Sequence, residues 1–266
     1  MPYKAIVSDL DGTLLNANGR LSDITKTVLT QLCDAGVEIV FATGRHPRDA
    51  KLVADSLGRN ISIVGLNGAL TWCGESQNII DEQYISPEQI HKLLELVQGH
   101  DVHLSFFDRD GWKLLEENQM AKQYASFSGF PYKVITAEEI SQLKINKLLL
   151  WKNQGIQFVE ETIKQHLSGQ LECYRTSEHQ LEIGPANVSK ASAATKLLAQ
   201  KGISFQKQAM AFGDSLNDLP LLSQAAQGVI MRNAMPDLAN QLSMLPIADC
   251  HSTDGVARFL QLKFDV

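Results

Sequence analysis

The chain predicts an α/β protein: a doubly wound, mostly parallel, Rossmann-like core sheet with an α+β cap domain inserted into it. Three observations carry this. Short apolar runs alternate with amphipathic stretches over residues 4–65, the same rhythm returns over residues 189–231, and between them it gives way to longer strands with helices segregated among them.

Residues 4–8 read as the first strand. Residues 22–35 read as a helix with Ile24, Val28, Leu29 and Leu32 on one face, and residues 37–42 as the next strand. A helix over 47–57 and a strand over 61–65 continue the alternation. Asn67-Gly68 and Cys73-Gly74 then punctuate a hairpin of 69–72 against 79–81. The insert reads as helix 87–97, strands 102–107 and 111–116, a helix near 119–126, strand 146–151, helix 156–167, and strands 171–176 and 180–183. Helix 189–200, strand 209–212, helix 220–225 and strand 228–231 complete the core. The joins are placed near Tyr84 and Ala186, which makes residues 1–83 and 187–266 the core and 84–186 the cap. There is no internal repeat or low-complexity tract.

Composition narrows the function classes. The 266 residues are 44% hydrophobic, as in an ordinary globular protein, and long enough for two domains. Against 30 acidic residues stand 24 Lys and Arg, so the net charge of −6 argues against a broad nucleic-acid surface. The four cysteines, Cys33, Cys73, Cys173 and Cys250, are far apart and form no zinc-like pattern with His91, His100 or His103, which predicts buried, reduced thiols. Met1-Pro2-Tyr3-Lys4 leads directly into a strand without a signal-type segment, and no apolar run reaches membrane-spanning length. Cytoplasm is the expected compartment.

The chemistry is concentrated where strands end. Asp9-Leu10-Asp11-Gly12-Thr13 sets two carboxylates one residue apart after an apolar strand. Such a pair is costly unless a cation neutralises it, and Mg²⁺ suits carboxylates and phosphate together. Asp-Gly is also ordinary turn chemistry. Thr43-Gly44-Arg45 follows the next core strand: the hydroxyl and an open N–H suit a phosphate oxygen, although Thr43 also suits a helix cap and Arg45 a surface ion pair. Lys190 sits at a helix start, where the helix dipole disfavours a cation, so anionic company is expected there. Gly213-Asp214-Ser215-Leu216-Asn217-Asp218 closes the set, with Asp214 as a metal-ligand candidate, Asn217 for phosphate and Asp218 as support for Lys190 or a metal-bound water. The same run also suits a polar turn. In an open parallel sheet these segments converge outside the carboxyl ends of the strands.

These four ordered segments resemble the haloacid dehalogenase superfamily of phosphohydrolases: D-x-D-G-T at Asp9–Thr13, then the Thr43 segment, Lys190, and G-D-x-x-N-D at Gly213–Asp218. The insert, with Asn67-Gly68-Ala69 before it and Asp254-Gly255-Val256-Ala257 near the end, resembles the Cof-type branch with a large α+β cap. Two departures stand out: Ala191 follows the lysine where Gly is usual, and Arg232 occupies the Gly of M-G-N-A. The resemblance implies that Asp9 attacks phosphorus to form an aspartyl-phosphate and that Asp11 is general acid and base. It implies Mg²⁺ on the Asp9 and Asp214 carboxylates and the Asp11 carbonyl, with Leu10, Thr43, Gly44, Lys190 and Asn217 cradling phosphate. The implied substrate is a small phosphorylated metabolite, a sugar phosphate or pyridoxal phosphate, handled by a monomer or small homo-oligomer without nucleic acid or membrane. A phosphomutase of the phosphomannomutase type and a non-catalytic binding module are the alternatives. Cap residues Phe106, Phe107, Arg109, Trp112, Tyr174, Arg175 and His179, with His46 at the rim, are candidates for substrate contact or for packing.

Overall fold

The computed structural model describes residues 3–264; Met1 and Pro2, ahead of the expected first strand, lie outside the described residues. The chain forms two compact units. One runs to Ile80 and resumes at Ser189, and the other is Asp81–Val188.

The first unit opens with β1 (Ala5–Ser8), α1 (Asp23–Asp34), β2 (Glu38–Ala42), α2 (Pro47–Asp55), β3 (Ser62–Gly65) and β4 (Leu70–Cys73), and β5 (Asn78–Glu82) carries the chain across the boundary. The second contains α3 (Pro87–Val97), β6 (His103–Asp108), β7 (Gly111–Leu114), α4 (Gln119–Ser128), β8 (Tyr132–Val134), α5 (Ala137–Ile140), β9 (Ile145–Trp151), α6 (Ile156–Leu167), β10 (Leu171–Arg175) and β11 (Gln180–Pro185). The first resumes with α7 (Lys190–Gln200), α8 (Phe205–Gln208), β12 (Ala209–Gly213), α9 (Leu219–Gln224), β13 (Gln227–Met231), α10 (Pro236–Gln241), β14 (Ile247–Ala248) and α11 (Gly255–Phe264).

Strands of the first unit lie in the order β14-β13-β12-β1-β2-β3-β4-β5. From β14 to β3 every pairing is parallel, and β4 turns back antiparallel on β3. A parallel sheet must be covered on both faces, which is why its strands read as unbroken apolar runs. Successive residues of β1 serve opposite layers. Ile6 packs with Val28, Leu29 and Leu32 of α1, Ala50 of α2 and Leu260 of α11. Ala5 and Val7 pack with Ala194, Leu197 and Leu198 of α7 and Leu221 of α9.

Polar caps fix where the helices begin. Ser22 Oγ accepts from Thr25 N–H at 3.0 Å at the start of α1, and Ser189 Oγ from Ser192 N–H at 3.1 Å at the start of α7. Such caps contribute about 1 kcal/mol each. At α2 the cap is His46, whose Nδ1 accepts from Arg48 N–H at 3.0 Å. His46 is therefore buried, not at a rim, and Thr43 is not the cap of this helix.

The second unit is a six-stranded sheet, β10-β11-β9-β6-β7-β8, antiparallel except for the parallel β7–β8 pair. Ile90 and Leu93 of α3 and Val159 and Ile163 of α6 pack on Leu148, Leu150, Leu181 and Ile183. Phe106 belongs to this core. Trp112 is buried as well, stacked between Phe107 and Phe130, so it too is a packing residue. Arg109 and Arg175 pair with Glu82 and Glu160 at 3.3 Å each, the Tyr174 hydroxyl lies 3.4 Å from Glu172, and the His179 ring lies 6.3 Å from that of Trp151.

Some elements had no sequence signal. One-turn α5 and α8 are too short to show a period, β8 is three residues long, and α11 opens on Gly255, which reads as loop. The four cysteines are free, as expected, but half-buried rather than buried. Among the described residues no helix is long and apolar enough to cross a membrane.

Candidate active site

Because β2, β1 and β12 are parallel neighbours, the residues just past their ends share one edge of the sheet. Asp9, Thr43 and Asp214 are those residues, and Asp9 N–H is tied across to Phe212 O at 3.0 Å. Lys190, the first residue of α7, comes in from the side and is fully buried. Its Nζ donates to Asp9 Oδ1 at 2.8 Å and to Asp218 Oδ1 at 2.7 Å. The anionic company expected from a cation at a helix N-terminus is thus present. Asp218 Oδ2 accepts from the N–H groups of Asp214 at 3.0 Å and Ser215 at 3.1 Å, so one carboxylate orients the lysine and pins the fourth segment.

Charge does not balance in this cluster. Asp9, Asp214 and Asp218 place carboxylate oxygens within 4.8 Å of one another, against the one ammonium of Lys190. Burial pushes the Asp9 carboxyl well above the usual range; Lys190 draws it back, while Asp218 and Asp214 push it further up. Asp214 is lifted to about 7 by burial and by Asp218, although the Thr13 hydroxyl and Lys190 favour its charged form. For Lys190, burial favours the neutral amine, but Asp218 and Asp9 outweigh it and hold the side chain charged. Three hard carboxylates with one compensating cation fit Mg²⁺. Both Asp218 oxygens already have N–H partners, so Asp9 and Asp214 are the carboxylates best placed to hold an ion.

Asp11 points elsewhere. Its carboxylate is half exposed and takes a two-pronged contact from Arg45, Nε to Oδ2 at 2.7 Å and Nη2 to Oδ1 at 2.5 Å. The guanidinium is itself nearly buried and lies 3.6 Å from buried Asp49. Arg45 is therefore an ion-pair partner of the site and not of the outer surface. Thr43 is buried and its Oγ1 accepts from Arg45 N–H at 3.1 Å, so its own O–H is a donor. Leu10 is buried in the kinked Leu10–Leu14 loop, and Gly44 is half-buried beside Thr43.

Asn217 donates to Asn67 Oδ1 at 3.0 Å, and its Oδ1 accepts from the Ser215 hydroxyl. Asn67 is a site residue that sequence reasoning took for hairpin punctuation. It is buried with φ +57°, and the following Gly68 lies so close to α7 that a Cβ there would be 2.4 Å from Ser189 O. The Asn-Gly pair is thus a close-packed turn against the helix that carries Lys190. Thr13, whose hydroxyl donates to Asp214 Oδ1 at 3.0 Å, and Gly12, whose absent Cβ would meet Asp214 Oδ2 at 2.4 Å, stood in the first motif without a role of their own. Arg232 is exposed and pairs with Asp249 at 3.0 Å.

A doubly wound sheet with carboxylates and a buried lysine at its strand ends is an arrangement suited to a divalent cation and a phosphate group. Residues 6–260 match the haloacid dehalogenase-like hydrolase family. HMP-PP phosphatase of Yersinia pseudotuberculosis is 29% identical over 259 residues, covering 97% of this chain and 94% of its own. A haloacid dehalogenase-like hydrolase from Bacteroides thetaiotaomicron is 25% identical with a TM-score of 0.84, covering 98% of this chain and 100% of its own. The subclass IIB sugar phosphatase BT4131 shares the fold at 22% identity, with a TM-score of 0.84 over 99% of this chain and 100% of its own. The chain belongs to the haloacid dehalogenase-like hydrolase family. The family is one of hydrolases, and the Yersinia relative is a phosphatase.

Proposed function

We propose that this enzyme is a Mg²⁺-dependent, cytoplasmic phosphatase that hydrolyses a small phosphorylated metabolite through an aspartyl-phosphate on Asp9. The observation that carries the reading is the buried Asp9–Lys190–Asp218 arrangement with Asp214 beside it. Lys190 holds one Asp9 oxygen and presents positive charge where phosphoryl oxygens gather. Asp9 then attacks phosphorus, the alcohol leaves, and water hydrolyses the acyl phosphate in a second step. Asp11, on leaving its contact with Arg45, protonates the alcohol and later takes the proton of that water. Thr43 O–H, the N–H groups of Leu10 and Gly44, and Asn217 complete the phosphate cradle. Asp9 and Asp214, with the Asp11 carbonyl, would hold Mg²⁺, which would supply charge neutralisation.

Sugar phosphates and pyridoxal phosphate are the first substrates to try, and the Yersinia relative adds HMP-PP. The test is phosphate release from a panel containing all three, with Mg²⁺ and with EDTA, for the parent and Asp9→Asn. Release by the parent in Mg²⁺ alone and none by the folded variant is expected. Full activity of Asp9→Asn refutes the nucleophile, and indifference to EDTA refutes the metal. Isomerisation that depends on a bisphosphate, without phosphate release, would make it a mutase.

A further inference from the structure

The segment after β13, where Asn233 follows Arg232 in the M-G-N-A pattern, reaches toward the site although none of the four ordered motif segments lies on it. Asn233 Nδ2 donates to Gly12 O at 2.7 Å, and its Oδ1 accepts from His251 N–H at 3.0 Å. The His251 ring sits with Nδ1 2.8 Å from Leu15 O; a carbonyl only accepts, so that nitrogen carries the proton. Two residues on, Met235 N–H donates to Asp214 O at 2.8 Å. One short segment thus grips the loop that carries Asp9 and the loop that carries Asp214. Between those loops there is no slack: Gly12 is at φ +73°, and even a methyl on it would meet the Asp214 carboxylate.

We infer that Asn233 is a positioning residue that sets the spacing between the Asp9–Thr13 loop and Asp214, and through it the affinity for the divalent cation. Its side chain is exposed and touches neither the lysine nor the carboxylates, so it acts through the backbone it holds. Residues that orient ligands from behind typically change metal affinity by about 10- to 100-fold when removed. The inference rests on the proposed metal site, and the experiment separates the two.

Mg²⁺ is titrated calorimetrically into the metal-free full-length protein, and the Mg²⁺-induced rise in Tm is measured alongside. The set is the parent, Asn233→Ala, His251→Ala and Arg232→Ala. Asn233→Ala is expected to bind Mg²⁺ about tenfold or more weakly, with a smaller Mg²⁺-induced Tm rise and a metal-free Tm near that of the parent. His251→Ala should shift affinity in the same direction by less. Arg232→Ala, in the same segment but paired outward with Asp249, should bind as the parent does. With substrate present, excess Mg²⁺ should restore kcat in Asn233→Ala without a change in KM. An Asn233→Ala Mg²⁺ affinity within twofold of the parent overturns the inference alone, as does an equal loss in Arg232→Ala. No Mg²⁺ binding by the parent overturns the metal reading and the inference together.

Discussion

Replacing Lys190 by Met keeps the length and packing of the stem and removes the charge. In the parent, Nζ makes two charge-assisted hydrogen bonds, at 2.8 Å to Asp9 and 2.7 Å to Asp218, with no exposure to water. Hydrogen bonds to charged groups contribute about 1.5–3 kcal/mol each. Breaking a buried pair from one side costs about 3–5 kcal/mol, because the partner stays buried and uncompensated. The two routes agree on a loss near 3–5 kcal/mol. For a unit of this size that is about 6–20 °C in Tm. The loss must also depend on pH. Without Lys190 the Asp9 carboxyl, already pushed up by burial, loses the charge that draws it back and rises further above its unfolded value. A carboxyl raised on folding contributes stability at low pH that disappears as pH climbs through its folded value. The gap between parent and Lys190→Met should therefore be wide at pH 8 and narrow at pH 5. The assay is scanning calorimetry of both proteins in EDTA at the two pH values. A variant melting within about 2 °C of the parent at pH 8, or a gap as wide at pH 5, would refute the reasoning.

Three further outcomes are expected. Gly12→Ala should weaken Mg²⁺ binding and cut phosphate release, since its Cβ would push on the Asp214 carboxylate from a backbone at φ +73°; unchanged Mg²⁺ affinity by calorimetry would contradict this. Asp214, lifted to about 7 in the metal-free protein, must shed a proton to hold the ion, so Mg²⁺ affinity should fall by up to about tenfold per unit below pH 7 and level off above it. By the same sign the metal-free protein loses stability as pH rises through 7, and equal Mg²⁺-induced Tm rises at pH 6 and pH 8 would refute the shift. Exchanging residues 84–186 for the corresponding region of a relative should change which metabolite is hydrolysed while leaving Asp9 chemistry intact, read from the phosphate-release panel; an identical profile would place selection in the core.

How much of the site was legible depended on whether a residue's chemistry is carried by its own neighbours in sequence. Asp9, Thr43 and Asp214 each follow an apolar strand directly, and Lys190 stands where a helix dipole makes a cation anomalous, so each announced itself locally. Arg45 did not reveal its partner, because the contact to Asp11 depends on how β1 and β2 line up. His46 looked like a rim residue until α2 took it as a cap. Asn67 read as hairpin punctuation and Asn233 carried no role beyond its place in the M-G-N-A pattern, since an amide's role is set by the carbonyls and amides it meets, here Asn217, Gly12 and His251.

By itself the sequence determined the class of fold and the kind of chemistry. Unbroken apolar strands alternating with one-sided helices are buried as a parallel sheet covered by helices on both faces, and carboxylates at the ends of those strands call for a cation. Tertiary structure alone decided the division of labour among the acids. Asp9 faces Lys190, Asp11 turns to Arg45, and Asp218 spends both oxygens on Lys190 and the Asp214 turn, which leaves Asp9 and Asp214 as the carboxylates proposed for a metal. The physical reason is that strand register and helix docking, which local sequence does not encode, choose which charges are buried together.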